Sequence, residues 1–210
     1  MAAPITHIVL SEKVLKKFFP RTEKKKFLIG TSLPDIRYLG VVDRNATHFN
    51  KVKFPLIKDM DSFNKGLIFH SIIDSVREEL LLSKDLYSIM PKSKYITQSI
   101  KLLEDQVLYN KIKNWSGICN YFKEILTEER NLGIDKESIR LWHNLLIDYY
   151  TSQPDENSLK AFVRGIRLES TIAEEIIDNI RQINDNKYVL SYIHLLYNSI
   201  EERVADLAIF

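Results

Sequence analysis

Residues 61–81 read DSFNKGLIFHSIIDSVREELL, and their spacing predicts one long helix that begins near Asp61 and runs past Leu81. Phe63, Leu67, Ile73, Val76 and Leu80 recur at helical spacing and mark its buried side. His70 and Asp74 lie one turn apart on this helix, so an imidazole and a carboxylate share one face and can grip one cation together. A buried histidine bonded to a carboxylate is the plainer reading of the same pair. Gly66, one turn before His70, costs helix stability unless something must approach closely there.

The helical period extends over most of the chain. Six glycines and six prolines are few for 210 residues, so a single-domain, nearly all-α multi-helix bundle is expected. A first helix runs from Thr6, a good N-cap, to a stop at Pro20, with His7 in its first turn. Between about residues 26 and 60 the pattern loosens around Gly30, Pro34, Gly40 and Pro55, which predicts one long irregular loop folded on the core. Further helices are expected over Lys94–Lys113, Trp115–Glu129, Lys136–Thr151, Glu156–Leu168, Thr171–Ile183 and Tyr188–Leu207.

Composition narrows the function classes. Thirty basic against 28 acidic side chains leave a formal charge of +2, which demands neither nucleic acid nor an anionic membrane as partner. The run Lys16-Lys17, Arg21, Lys24-Lys25-Lys26 reads as a solvated helix end and loop. One cysteine, Cys119, cannot make an internal disulfide or a thiolate zinc site. The apolar stretch Ile5–Leu10 is too short for a secretory signal, and no apolar run approaches the ~20 residues that cross a bilayer, so a cytoplasmic protein is expected.

The polar residues that could carry chemistry gather in the first third. Besides His70 and Asp74 these are His7, the Pro34-Asp35 pair and Thr47-His48-Phe49. Singly each has a structural reading: Pro-Asp is an ordinary helix start, and a histidine in a first turn is commonly half-exposed. Their order is what carries information. A histidine opening an N-terminal helix, a glycine with Pro-Asp, a Thr-His followed by an aromatic, then Gly-x-x-x-His-x-x-x-Asp on a long helix resembles the zinc-dependent phospholipase C family over about residues 5–80.

That resemblance implies an all-α metalloprotein holding one to three zinc ions and hydrolysing a phosphoester, with phospholipid among its substrates. It implies that His48, His70 and Asp74 hold a first metal, that His7 completes a neighbouring site sharing Asp74, and that Asp35 is a ligand or the general base. The family's downstream His-x-x-x-Glu helix has no counterpart, because Ile147 and Asn198 stand one turn after His143 and His194. Both histidines read as core residues.

Glu104, flanked at one-turn offsets by Ile100 and Leu108, occupies an apolar row and needs either a metal or an arginine as partner; it is the substitute ligand to consider. Asp105, with Lys101 and Tyr109 at the same offsets, reads as a solvated face. Arg37 and Arg44 flank the ligands and could meet a substrate phosphate, or pair with local carboxylates. A different class of function remains beside the hydrolase: a helical protein-interaction module that has lost catalysis and keeps a structural metal or none. An HD-type phosphohydrolase requires an adjacent His-Asp pair, which the chain lacks.

Overall fold

A computed structural model describes residues 3–49, 57 and 59–209. The chain forms α1 (Pro4–Phe18), α2 (Lys24–Ser32), a 3-10 stretch over Leu33–Leu39, α3 (Arg44–Thr47), α4 (Ser62–Ser83) and α5 (Ile96–Leu108). It continues with α6 (Trp115–Tyr121), α7 (Thr127–Arg130), α8 (Lys136–Tyr150), α9 (Glu156–Gly165), α10 (Ser170–Ile183) and α11 (Lys187–Ile209). The described residues contain no strand, and none of their helices is long and apolar enough to cross a membrane. The all-α expectation holds.

The long α4 is framed as its sequence requires. The Asp61 side chain accepts from the Asn64 backbone N–H at 2.9 Å, a standard N-cap that fixes the helix start. Its apolar face packs against α1, α2 and α11, while α5 packs against α1, α10 and α11. From α5 the molecule extends through α10 and α9 to α8, and α6 bridges α8 and α2. One hydrophobic core runs through all these layers, from Ile5 in α1 to Val204 in α11.

The expected loop over residues 26–60 is wrong in its first part. Lys24–Ser32 is a regular helix, and Leu33–Leu39 continues it in tighter turns that end where Gly40 adopts a φ of 76°. The period was hidden because Phe27 to Ser32 are all buried, so α2 has no solvated stripe to set off an apolar one. Residues 50–56 and 58 of that expected loop lie outside the described residues.

Gly30 and Gly66 explain how α2 and α4 meet. A Cβ on Gly66 would strike the carbonyl oxygen of Phe27, and a Cβ on Gly30 would strike that of Phe63, so each glycine admits the backbone of the other helix. The close approach anticipated at Gly66 is therefore made by a helix. It brings the Thr31 carbonyl within 2.9 Å of His70 Nδ1.

At the other end of the site, α1 begins at Pro4, whose missing N–H costs nothing in a first turn. Thr6, expected as the N-cap, lies inside the helix; its N–H and hydroxyl both donate to Asp105 Oδ1 at 2.7 Å. A carboxyl group from α5 thus caps α1 and fixes the position of His7. Asp105 is fully buried, and burial pushes its carboxyl up to about 8 against the pull of the Thr6 hydrogen bonds.

The reading of Lys101 and Asp105 as a solvated face is therefore incorrect. Ser99 to Asp105 are buried without a break because α5 is surrounded by other helices, and its polar side chains answer partners instead of water. Two expected helices also end sooner. Lys94–Lys113 stops at Leu108 with a short turn over Tyr109–Lys111, and Trp115–Glu129 divides into α6 and α7.

Candidate metal centre

α1, the 3-10 stretch after α2, the C-terminal end of α3 and α4 deliver five of the anticipated side chains to one place. His7 and His70 stack with ring centroids 4.0 Å apart, and His48 meets His70 edge-on at 4.9 Å. His7, Asp35, His48 and His70 are all buried, and Asp74 is 20% exposed at its side chain. The Nε2 atoms of His7 and His70 lie 3.7 Å from Asp74 Oδ1 and Oδ2 respectively. His70 Nε2 is 3.9 Å from Asp35 Oδ2, and His48 Nε2 is 4.0 Å from Asp74 Oδ2.

These separations are too long for hydrogen bonds. They approach the edge of a tetrahedron of ligands around zinc, about 3.4 Å for donors placed ~2.05 Å from the ion. Two overlapping groups, His7 with His70 and Asp74, and Asp35 with His48 and His70, keep their donor atoms within 4.8 Å of one another and could hold a metal ion.

The other side of each imidazole decides its chemistry. His7 Nδ1 lies 2.9 Å from the Ala3 carbonyl oxygen and His70 Nδ1 lies 2.9 Å from that of Thr31, and a carbonyl only accepts. Both rings therefore donate from Nδ1 and present a bare lone pair at Nε2, the tautomer a metal requires. His48 Nδ1 is 3.1 Å from the Thr47 hydroxyl. The Nε2 atoms of all three histidines are buried without a hydrogen-bond partner among the described residues. Three orphaned ring nitrogens, two of them fixed as acceptors, beside two carboxylates cost free energy unless a cation answers them, so the donor set fits a metal.

Electrostatics agree. Burial, reinforced by the neighbouring His70, lowers His7 to about 3 and His48 to about 4, so both are neutral and ready to ligate near pH 7. Burial alone would raise the Asp74 carboxyl, but Lys101, His70, His7 and Arg77 together hold it well below the ordinary range. Burial likewise opposes ionisation of Asp35, and His70 and Lys101 outweigh it.

Glu104 does not join the cluster. Its Oε2 accepts from Arg77 Nε at 2.7 Å, and its Oε1 accepts from Arg77 Nη2 at 2.6 Å and from the Tyr192 hydroxyl at 2.9 Å. Glu104 as a metal ligand is corrected: the arginine took the place of the metal, because a bidentate guanidinium satisfies both oxygens of a buried carboxylate. Arg77 in turn reaches to 3.8 Å from Asp74 Oδ1, linking this pair to the centre.

Arg37 lies over the Tyr38 ring with its Nε 3.8 Å from Asp35 Oδ1, so it is engaged locally. Arg44 is exposed and lines a cavity of about 200 Å³ with His48, Phe49, Ser71, Asp74, Ser75 and Glu78. That cavity reaches the centre at His48 and Asp74. His143 is buried with its Nε2 2.7 Å from Glu129 Oε1, as a core histidine should be, whereas His194 is exposed.

Sequence reasoning missed Lys101, whose Nζ donates to Asp74 Oδ1 at 2.9 Å. The signal was its place in the same helix as Glu104, three residues earlier, where the contiguous burial of α5 brings it in. No protein-family model, curated protein or solved structure matches this chain.

Proposed function

We propose that the chain is a metal-dependent phosphoester hydrolase, with zinc as the metal, resembling zinc-dependent phospholipase C in its first 80 residues. The observation that carries this reading is the convergence of three buried, unpartnered Nε2 atoms on the carboxylates of Asp35 and Asp74. Imidazole nitrogen and carboxylate oxygen without thiolate is a donor set suited to catalytic zinc. When bound, such an ion supplies positive charge to a phosphoryl oxygen and acidifies water.

The chain's own groups do the rest. His48, His70 and Asp74 hold the ion, His7 completes the wall behind it, and the Ala3 and Thr31 carbonyls orient the His7 and His70 rings from behind. Asp35, held ionised, aligns the attacking water and accepts its proton. Arg44 at the rim offers a guanidinium to the phosphate as substrate enters.

Zinc-loaded protein is expected to hydrolyse bis-p-nitrophenyl phosphate, and Asp35→Asn is expected to lower that rate by about 10²–10⁴-fold, the usual worth of a positioned acid–base group. The check is release of p-nitrophenolate followed by absorbance, with metal content measured on the same samples. Zinc bound in full without turnover would contradict the hydrolase and leave a helical module with a structural metal.

A further inference from the structure

Resting on the metal-site reading above, we propose that the centre holds one divalent transition ion and that the ammonium of Lys101 occupies the place of a second. Two groups of ligands converge here, and both depend on His70. A histidine whose Nδ1 donates to a carbonyl has a single lone pair left, at Nε2, and one lone pair binds one ion. The two groups therefore cannot be filled together.

Once His70 is committed beside His48, with which Asp35 is grouped, the donors that remain on the far side are His7 Nε2 and Asp74 Oδ1. Two protein donors fall short of the three that zinc sites with an open position employ. At that same oxygen stands a cation already. Lys101 Nζ lies 2.9 Å from Asp74 Oδ1, the Arg77 guanidinium is 3.8 Å from it, and Lys101 is 8% exposed.

Coulomb repulsion between a buried ammonium and a divalent ion at neighbouring positions opposes a second metal in addition to the missing ligand. The same ammonium keeps Asp74 turned so that Oδ2 faces His48 and His70. Lys101 is thus a positioning residue that fixes metal number. A site built with two ions a few ångströms apart uses the second to neutralise charge on the substrate; here that charge is permanent and belongs to the chain.

The experiment is zinc stoichiometry by isothermal titration calorimetry and by elemental analysis after gel filtration, on the full chain. Wild type is expected to bind one zinc per chain. Lys101→Glu removes the ammonium and adds a third donor beside His7 and Asp74 Oδ1, and is expected to bind two. Lys101→Met removes the charge without adding a ligand and is expected to stay at one.

Two or more ions on the wild-type chain would overturn the proposal while leaving the metal centre standing, and this count needs no variant to fold. One ion on a folded Lys101→Glu chain would also overturn it. No zinc on the wild type would remove the metal reading itself, and this inference with it.

Discussion

Replacing His70 by alanine is expected to lower zinc affinity by more than about 100-fold, beyond what loss of an outer-shell partner costs. His70 belongs to both groups of candidate ligands, so its loss leaves neither of them complete. Its loss also leaves the Thr31 carbonyl without the Nδ1 donor and the His7 ring without its stacking partner. The helices themselves do not depend on the imidazole, since α2 and α4 are joined through Gly30 and Gly66 and through the apolar side chains around them. Competition with a chromophoric chelator measures the affinity, and far-ultraviolet circular dichroism checks that the variant is folded. An affinity within a few-fold of wild type in a folded variant would contradict the assignment of His70.

Arg77→Ala is expected to destabilise the fold by about 3–5 kcal/mol, the cost of breaking a buried ion pair by removing one partner. The guanidinium and Glu104 are both enclosed, and Glu104 takes two of its three hydrogen bonds from Arg77. Without Arg77 the carboxylate keeps only the Tyr192 hydroxyl and must either sit uncompensated in the core or take up a proton. Replacing both partners by apolar residues of similar volume, Arg77→Met with Glu104→Leu, is expected to recover most of the loss, because the penalty lies in the orphaned charge. Urea denaturation of the two variants measures it. A loss below about 1 kcal/mol in the single variant would show that the pair is not buried as described.

The candidate ligands were legible in the sequence to the extent that local spacing and chain order express them. His70 and Asp74 one turn apart on α4 follow from helical geometry alone, and the order of His7, Asp35, His48 and His70 carried the rest. Glu104 was legible as a buried acid but not as the partner of Arg77, because the two are 27 residues apart on different helices and only the tertiary fold brings them together. Lys101 and Asp105 were misread for one reason. Amphipathic period separates faces only for a helix with water on one side, and α5 has helices on several. The helix α2 was hidden in the same way, since enclosure on all sides removes the polar stripe that a one-sided helix displays.

These misreadings share a consequence for the centre. The carbonyls of Ala3 and Thr31 that set the tautomers of His7 and His70 are backbone atoms, and no side-chain pattern announces them. The Asp105 carboxyl that holds α1 in place comes from 99 residues away. The sequence therefore disclosed which residues gather at the centre, and the fold supplied what suits them to a cation: His7 and His70 rings turned by backbone carbonyls to present Nε2, and an Asp74 carboxylate kept ionised with the help of Lys101 and Arg77.

The central claim is that the Nε2 atoms of His7, His48 and His70 face a cation with Asp35 and Asp74. Crystals grown with zinc and measured on both sides of the zinc absorption edge test it most directly. The expected result is an anomalous peak bounded by those imidazoles and carboxylates, within about 2.0–2.2 Å of at least three of their donor atoms. A zinc-saturated crystal with no anomalous density there, and an ordinary water hydrogen-bonded among the three imidazoles, would contradict it.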